Sequence, residues 1–125
     1  MTVLGNTRRP DVTFYTNGRI DITARAARLL NLHDGDVIDI ASIDGECYLY
    51  VKHLGSDVTG RHQAAVHATK RGSRNYRCHS IKLAAFVLSR HEGMARARLP
   101  LGEPTVLPHI GFAVPIIIRN NIKDS

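Results

Sequence analysis

The chain has 125 residues, a size that suits one domain with a substantial hydrophobic core. It is 43% hydrophobic and 22% charged, which excludes a disordered chain. Aromatic residues make up only 6%, which argues against a stacking platform for single-stranded nucleic acid, and no apolar run is long enough for a membrane span.

The net charge of +6 is distributed unevenly along the chain. Residues 1–60 carry six Lys or Arg against eight Asp or Glu, whereas residues 61–125 carry eleven against three. Such an asymmetry between halves suggests that the second half meets an anionic partner.

Residues 12–53 predict one strand–helix–strand unit that follows a flexible arm at residues 1–10. Four segments have the alternation or the β-branched content of strands: residues 11–16, 19–22, 36–42 and 47–54. Asn17-Gly18 is a strong hairpin signal because both residues tolerate positive φ. Thr23 is suited to cap a short helix over residues 24–32.

The same order of elements is predicted again over residues 62–103. The strand-like segments of this half are residues 62–69, 74–80 and 94–101, and Ser80 is suited to cap a helix over residues 81–90. A shift of 58 positions aligns matching residues of the two halves: Arg19 with Arg77, Ala26-Ala27 with Ala84-Ala85, Leu30 with Leu88, and His33 with His91. We therefore expect a single domain, residues 11–125, in which two copies of one unit pair their edges.

The C-terminal segment predicts a last strand at residues 110–118, with Pro115 at an edge or a bulge. Residues 112–118 are too apolar to be left exposed, so we expect them in the core or at the interface of a homodimer or higher oligomer. The predicted fold class is mainly β with two short helices.

A family resemblance rests on three short motifs: Gly18-Arg19-Ile20-Asp21-Ile22, the helix end at residues 29–32, and Gly35-Asp36 before the strand at residues 37–40. Together they resemble the AbrB/MazE-type swapped-hairpin regulators over residues 12–53. Two such units in one chain are similar to the MraZ-like relatives, and the double-psi barrels have a similar shape. The resemblance implies a cradle-loop-type β-barrel, swapped-hairpin or double-psi-like, built from two pseudo-symmetric strand–helix–strand units. It also implies that Arg19 and Arg28 meet duplex DNA.

Residues 70–82 form the strongest local run of positive charge. Its basic residues, which no acid interrupts, are Lys70, Arg71, Arg74, Arg77 and Lys82. Guanidinium groups suit phosphates because they present a planar fork of donors that stays charged. This run predicts a hairpin that contacts duplex phosphates, although a solvated turn has the same composition. The predicted function is a DNA-binding transcriptional regulator or accessory protein.

No motif predicts a catalytic, metal or cofactor site. The seven histidines lack the spacing of metal ligands. The aspartate decarboxylases, double-psi enzymes of similar length, need a self-cleaving Gly-Ser bond in the first third of the chain, whereas the Gly-Ser pairs lie at residues 55–56 and 72–73. Such an enzyme is the weakest alternative, after a structural protein that oligomerises through its β edges.

The two cysteines, Cys47 and Cys78, have no C-x-x-C spacing, and residues 1–10 contain no apolar core of a signal peptide. We expect buried thiols in a cytoplasmic protein, because disulfides are rare in a reducing compartment.

Overall fold

The computed structural model describes residues 10–52, 65–91 and 95–118. Within these ranges the elements are β1 (Val12–Tyr15), β2 (Arg19–Ile22), α1 (Ala24–Leu30), β3 (Val37–Ile43), β4 (Glu46–Lys52), β5 (His67–Ala68), β6 (Tyr76–His79), α2 (Ile81–Arg90), β7 (Arg96–Leu99), β8 (Thr105–Leu107) and β9 (Gly111–Ile116). The mainly β class with two helices is confirmed. Residues 1–9 of the predicted arm lie outside the described part of the chain.

The strands form two antiparallel sheets. The five-stranded sheet has the order β5-β6-β2-β1-β7, and the four-stranded sheet has the order β3-β4-β9-β8. Two isolated bridges, Val37 with Ala65 and Leu101 with Ile116, join the sheets at separate places. Across the described residues, the strands are thus arranged as two sheets and not as one closed barrel.

The core lies between the sheets and the helices. Period-two alternation buries Val12 and Phe14 of β1 and Ile20 and Ile22 of β2. Helix α2 packs against β1, β2 and β7. Further core residues come from α1, β4 and β9: Ala26, Ala27, Leu30, Cys47, Leu49, Val114 and Ile116.

Both helices begin where the sequence predicts. The hydroxyl of Thr23 accepts a hydrogen bond from the N–H of Ala26 at 3.2 Å, and that of Ser80 accepts one from Leu83 at 3.1 Å. Helix α1 ends earlier than expected because Asn31 adopts a left-handed conformation (φ 53°) and closes the last turn with its N–H.

The C-terminal region differs from the prediction in two respects. Strand β9 is an inner strand between β4 and β8, so Pro115 does not lie on an edge strand. Strand β8 pairs with β9 only as far as Ala113, so the missing N–H of Pro115 interrupts no β8–β9 hydrogen bond. The sequence does not predict β8 itself, because Pro104 and Pro108 flank a segment of only three residues.

Candidate nucleic-acid interface

The outward side of the five-stranded sheet carries a continuous row of polar residues. Direct cross-strand partners lie on the same side of a sheet, and the register links one residue from each strand: Arg98, Thr13, Asp21, Arg77 and His67. Their strand neighbours Val12, Ile20, Ile22 and Cys78 are buried on the opposite side. The row therefore lies on the solvent side of the sheet.

A second row runs parallel to the first. Arg96 is the partner of Tyr15, and Arg19 is the partner of His79. The guanidinium of Arg19 lies over the ring of Tyr15, 4.3 Å from its centroid, which holds the cation against the sheet. We define the basic face by the arginines and histidines of both rows: Arg19, Arg77, Arg96, Arg98, His67 and His79.

Asp21 is the acid at the centre of this face. Its Oδ1 accepts a hydrogen bond from Nε of Arg77 at 2.7 Å, and its Oδ2 accepts one from Nη2 of Arg19 at 3.1 Å. The interaction with Tyr15, followed by that with Asp21, raises the pKa of Arg19 above its ordinary value. At the β5 edge of the sheet, Oδ2 of Asp34 lies 3.8 Å from Nδ1 of His67.

Arg96 and Arg98 give the basic face its surplus of charge. Both side chains are exposed, and neither forms an ion pair with any residue that the structure describes. The prediction of DNA-contacting residues missed them because it was built on the charge run at residues 70–82. The signal was present in the alternation Arg96-Ala97-Arg98-Leu99, which places both arginines on one side of a strand.

The structure separates Arg28 and Arg74 from the basic face. They line a groove of about 420 Å³ between α1 and the β5–β6 hairpin, together with Ala24, Ala27, Asn31, Leu32 and Tyr76. Tyr76 is the partner of the buried Ile22, whereas its neighbour Arg77 is the partner of Asp21. The groove and the basic face thus lie on opposite sides of β6.

The three remaining residues of the predicted set lie elsewhere. Lys70 and Arg71 are exposed at the tip of the β5–β6 hairpin, where Gly72 has a φ of 79° and the N–H of Ser73 donates to the carbonyl of Lys70. Lys82 is exposed in the first turn of α2. The predicted set therefore occupies several surfaces, and only Arg19 and Arg77 belong to the basic face.

Comparison with known proteins found no match among family models, curated proteins or solved structures. Within the described ranges, no group of three or more His, Cys, Asp or Glu side chains is arranged to hold a metal ion. Likewise, neither helix described by the structure has the length and apolar character that a membrane span requires. The assignment of a site therefore rests on geometry and charge.

Proposed function

We propose that this protein is a non-enzymatic DNA-binding regulator or accessory protein that presents its basic face to the phosphates of a duplex. The observation that carries the proposal is the pair of exposed arginines on β7, which form no ion pair with any described residue and lie in register with Arg19 and Arg77. Arginines that need no internal acid remain available to an external anion.

The spacing of the arginines favours a duplex over a point anion. Arg98 and Arg77 are three strand spacings apart, which is about 14 Å between their Cα atoms at roughly 4.8 Å per strand. The major groove of B-DNA is about 12 Å wide. The two side chains can therefore reach phosphates on both edges of one groove while the sheet spans it.

We further propose that the two sheets, which isolated bridges join at two places, together belong to a cradle-loop-type barrel of the swapped-hairpin or double-psi kind, in line with the resemblance to AbrB/MazE-type regulators. Strand β1 of the first half pairs with β7 of the second, and Ala65, just before β5, forms a bridge with Val37 of β3. In each half, the strand that follows the helix (β3 or β7) thus contacts the start of the other half. At the centre, Ile20 pairs with Cys78, residues that the 58-position shift aligns. A cytoplasmic location is part of this proposal.

An exposed apolar pair favours self-association as a second property. Val106 of β8 and Phe112 of β9 are direct partners, and their exposed fractions are 76% and 49%. Because β8 is also an edge strand, a second copy is the partner that we propose for this surface.

The substitution Val106→Asp should then shift a dimer to a monomer in size-exclusion chromatography with light scattering. A wild-type protein that is monomeric at high concentration would contradict this proposal.

Duplex binding is tested by fluorescence anisotropy with a short labelled duplex at several salt concentrations. The wild-type protein should bind with an affinity that falls steeply as salt rises. Arg98→Ala should make the plot of log K against log salt shallower, by about 0.9 in the magnitude of its slope. Affinity should fall for every duplex sequence, because phosphate contacts do not read bases.

Arg90→Ala is the matched control. Arg90 is also an exposed arginine, but it lies at the end of α2 with its guanidinium over the ring of Phe86. Its removal should leave the salt slope unchanged. If both variants weaken binding equally, the basic face is not the interface. If the wild-type protein fails to bind duplex even at low salt, the regulator proposal fails and the assembly alternative is favoured.

A further inference from the structure

The groove between α1 and the β5–β6 hairpin, which we name the α1 groove, brings two arginines together from distant parts of the sequence. Arg28 extends from the last turn of α1, and Arg74 extends from the hairpin. The other lining residues are small, apolar or uncharged: Ala24, Ala27, Asn31, Leu32 and Tyr76. The α1 groove thus combines two positive charges with a partly apolar surface.

Neither arginine is occupied within the part of the chain that the structure describes. Arg28 and Arg74 are exposed, and no ion pair links either to a described acid. Arg25, one turn earlier on α1, differs: its Nη1 donates to both oxygens of the buried Asp11, at 3.0 and 3.1 Å. The helix therefore uses one arginine for folding and leaves the other available in the α1 groove.

The hairpin wall of the α1 groove is held in place by a chain of hydrogen bonds. The hydroxyls of Thr69 and Ser73 are 2.9 Å apart, and the Ser73 hydroxyl accepts from the N–H of Asn75 at 3.0 Å. Oδ1 of Asn75 in turn accepts from the N–H of Ala24 in the first turn of α1, at 2.9 Å. Arg74 therefore lies between two anchored residues, which reduces the entropy lost when a ligand is bound.

We propose that the α1 groove binds a small phosphate-bearing molecule, with its phosphate oxygens between the guanidinium groups of Arg28 and Arg74. The oxygens of one phosphate can accept hydrogen bonds from two guanidinium groups at once. A groove of about 420 Å³ is large enough for a small ligand. The apolar part of the ligand would lie against Ala27, Leu32 and Tyr76. This site goes beyond duplex binding, since it lies on the other side of β6 from the basic face.

Binding in the α1 groove has a structural consequence. The ligand would contact α1 from the first half of the chain and the hairpin from the second half, so it would link two segments that only the folded protein brings together. A ligand that binds only the native state raises the melting temperature, and the rise grows with the logarithm of its concentration once that concentration exceeds the dissociation constant. Thermal unfolding is thus a second readout of the site.

The test is a calorimetric titration with inorganic pyrophosphate at low salt, using the full chain and three variants. Arg28→Ala and Arg74→Ala should each weaken binding by about tenfold to a hundredfold, because each removes a charge-assisted contact. Arg71→Ala is the matched control: Arg71 belongs to the same hairpin tip but does not line the α1 groove. This control should stay within about threefold of the wild type, since only long-range charge is lost.

Further arms separate this site from the duplex interface. Arg98→Ala should bind pyrophosphate like the wild type, and saturation with duplex should change pyrophosphate affinity by no more than about threefold. Pyrophosphate should also raise the melting temperature of the wild type but not that of Arg74→Ala. No pyrophosphate binding, displacement by duplex, or equal weakening by Arg71→Ala and Arg74→Ala would each overturn the proposal, whatever the outcome for duplex binding.

Discussion

Asp21 and Arg77 are direct cross-strand partners on β2 and β6, and Nε of Arg77 donates to Oδ1 of Asp21 over 2.7 Å. The same carboxylate accepts a hydrogen bond from Arg19 at 3.1 Å. It therefore orders two arginines of the basic face and cancels one of their two charges. A phosphate that approaches the basic face must therefore compete with the Asp21 carboxylate for both guanidinium groups.

Replacing this carboxylate should strengthen duplex binding. Asp21→Asn removes the central negative charge and keeps one carbonyl oxygen as an acceptor, so affinity for every duplex should rise by about threefold to tenfold at low salt. The rise should disappear at high salt, where charges are screened. Anisotropy titrations at two salt concentrations measure both effects.

Asp44→Asn is the control for that substitution. Asp44 is an exposed acid in the β3–β4 turn with a φ of 52°, a conformation that Asn tolerates. The same loss of charge at this position should leave duplex affinity nearly unchanged. If Asp21→Asn instead weakens binding, the carboxylate is needed to position the arginines, and competition with phosphate is the wrong account.

Local signals predicted much of this fold from the sequence. Thr23 and Ser80 cap their helices as expected, and Asn17-Gly18 forms the β1–β2 turn, because these effects depend on a few consecutive residues. Helix α2 has the predicted bounds, Ile81–Arg90. Alternation likewise predicts that Ile20 and Ile22 share one side of β2, and both are buried.

The composition of the candidate site could not be predicted in the same way. Arg74 and Arg77 are three residues apart in one charge run, yet they lie on opposite sides of β6, because their surroundings depend on α1 and β2. Arg98 joins Arg77 on the basic face through β1 and β2, a relation between strands that local charge does not encode. The sequence thus indicated a basic surface but could not assign its members to one side.

Gly18 is required where the β1–β2 turn meets the start of α2. Its φ is 95°, and a Cβ added there would lie 2.8 Å from Cγ1 and 3.1 Å from the backbone N of Ile81. Gly18→Ala should therefore lower the free energy of unfolding by about 2–3 kcal/mol, through backbone strain together with displacement of the helix start. Urea denaturation monitored by circular dichroism measures the loss.

Gly45→Ala separates those two contributions. Gly45 also has a positive φ, 83°, but a Cβ there would meet no heavy atom within 4 Å. This variant should lose only the strain component, about 1 kcal/mol. Equal losses at the two positions would mean that contact with Ile81 adds nothing.

The carboxylate of Asp11 joins three segments of the fold. It is buried, it accepts hydrogen bonds from Arg25 of α1, and its Oδ2 accepts the N–H of Leu101 at 3.0 Å. Asp11→Ala should lower the free energy of unfolding by about 3 kcal/mol, because it removes a buried, charge-assisted set of hydrogen bonds between the carboxylate, the Arg25 guanidinium and a backbone N–H. Glu46→Ala, at an exposed acid on β4, should change it by less than about 0.5 kcal/mol. A loss below about 1 kcal/mol for Asp11→Ala in urea unfolding would contradict this role.

The thiol of Cys78 should make the fold sensitive to alkaline pH. Burial, with a smaller contribution from the Asp21 carboxylate, raises the pKa of this thiol from 9.0 to about 12. Between these values the unfolded chain releases a proton that the folded protein keeps, so the free energy of unfolding falls as pH rises from about 9 towards about 12.

The variant Cys78→Ala tests this effect. It should be less stable than the wild type at pH 8, because it leaves a cavity, but it should lose less stability between pH 8 and pH 10. Urea midpoints at both pH values give this difference directly, since other titrating groups are common to both proteins. Parallel pH profiles for the two proteins would show that the thiol ionises as readily in the folded state as in the unfolded chain.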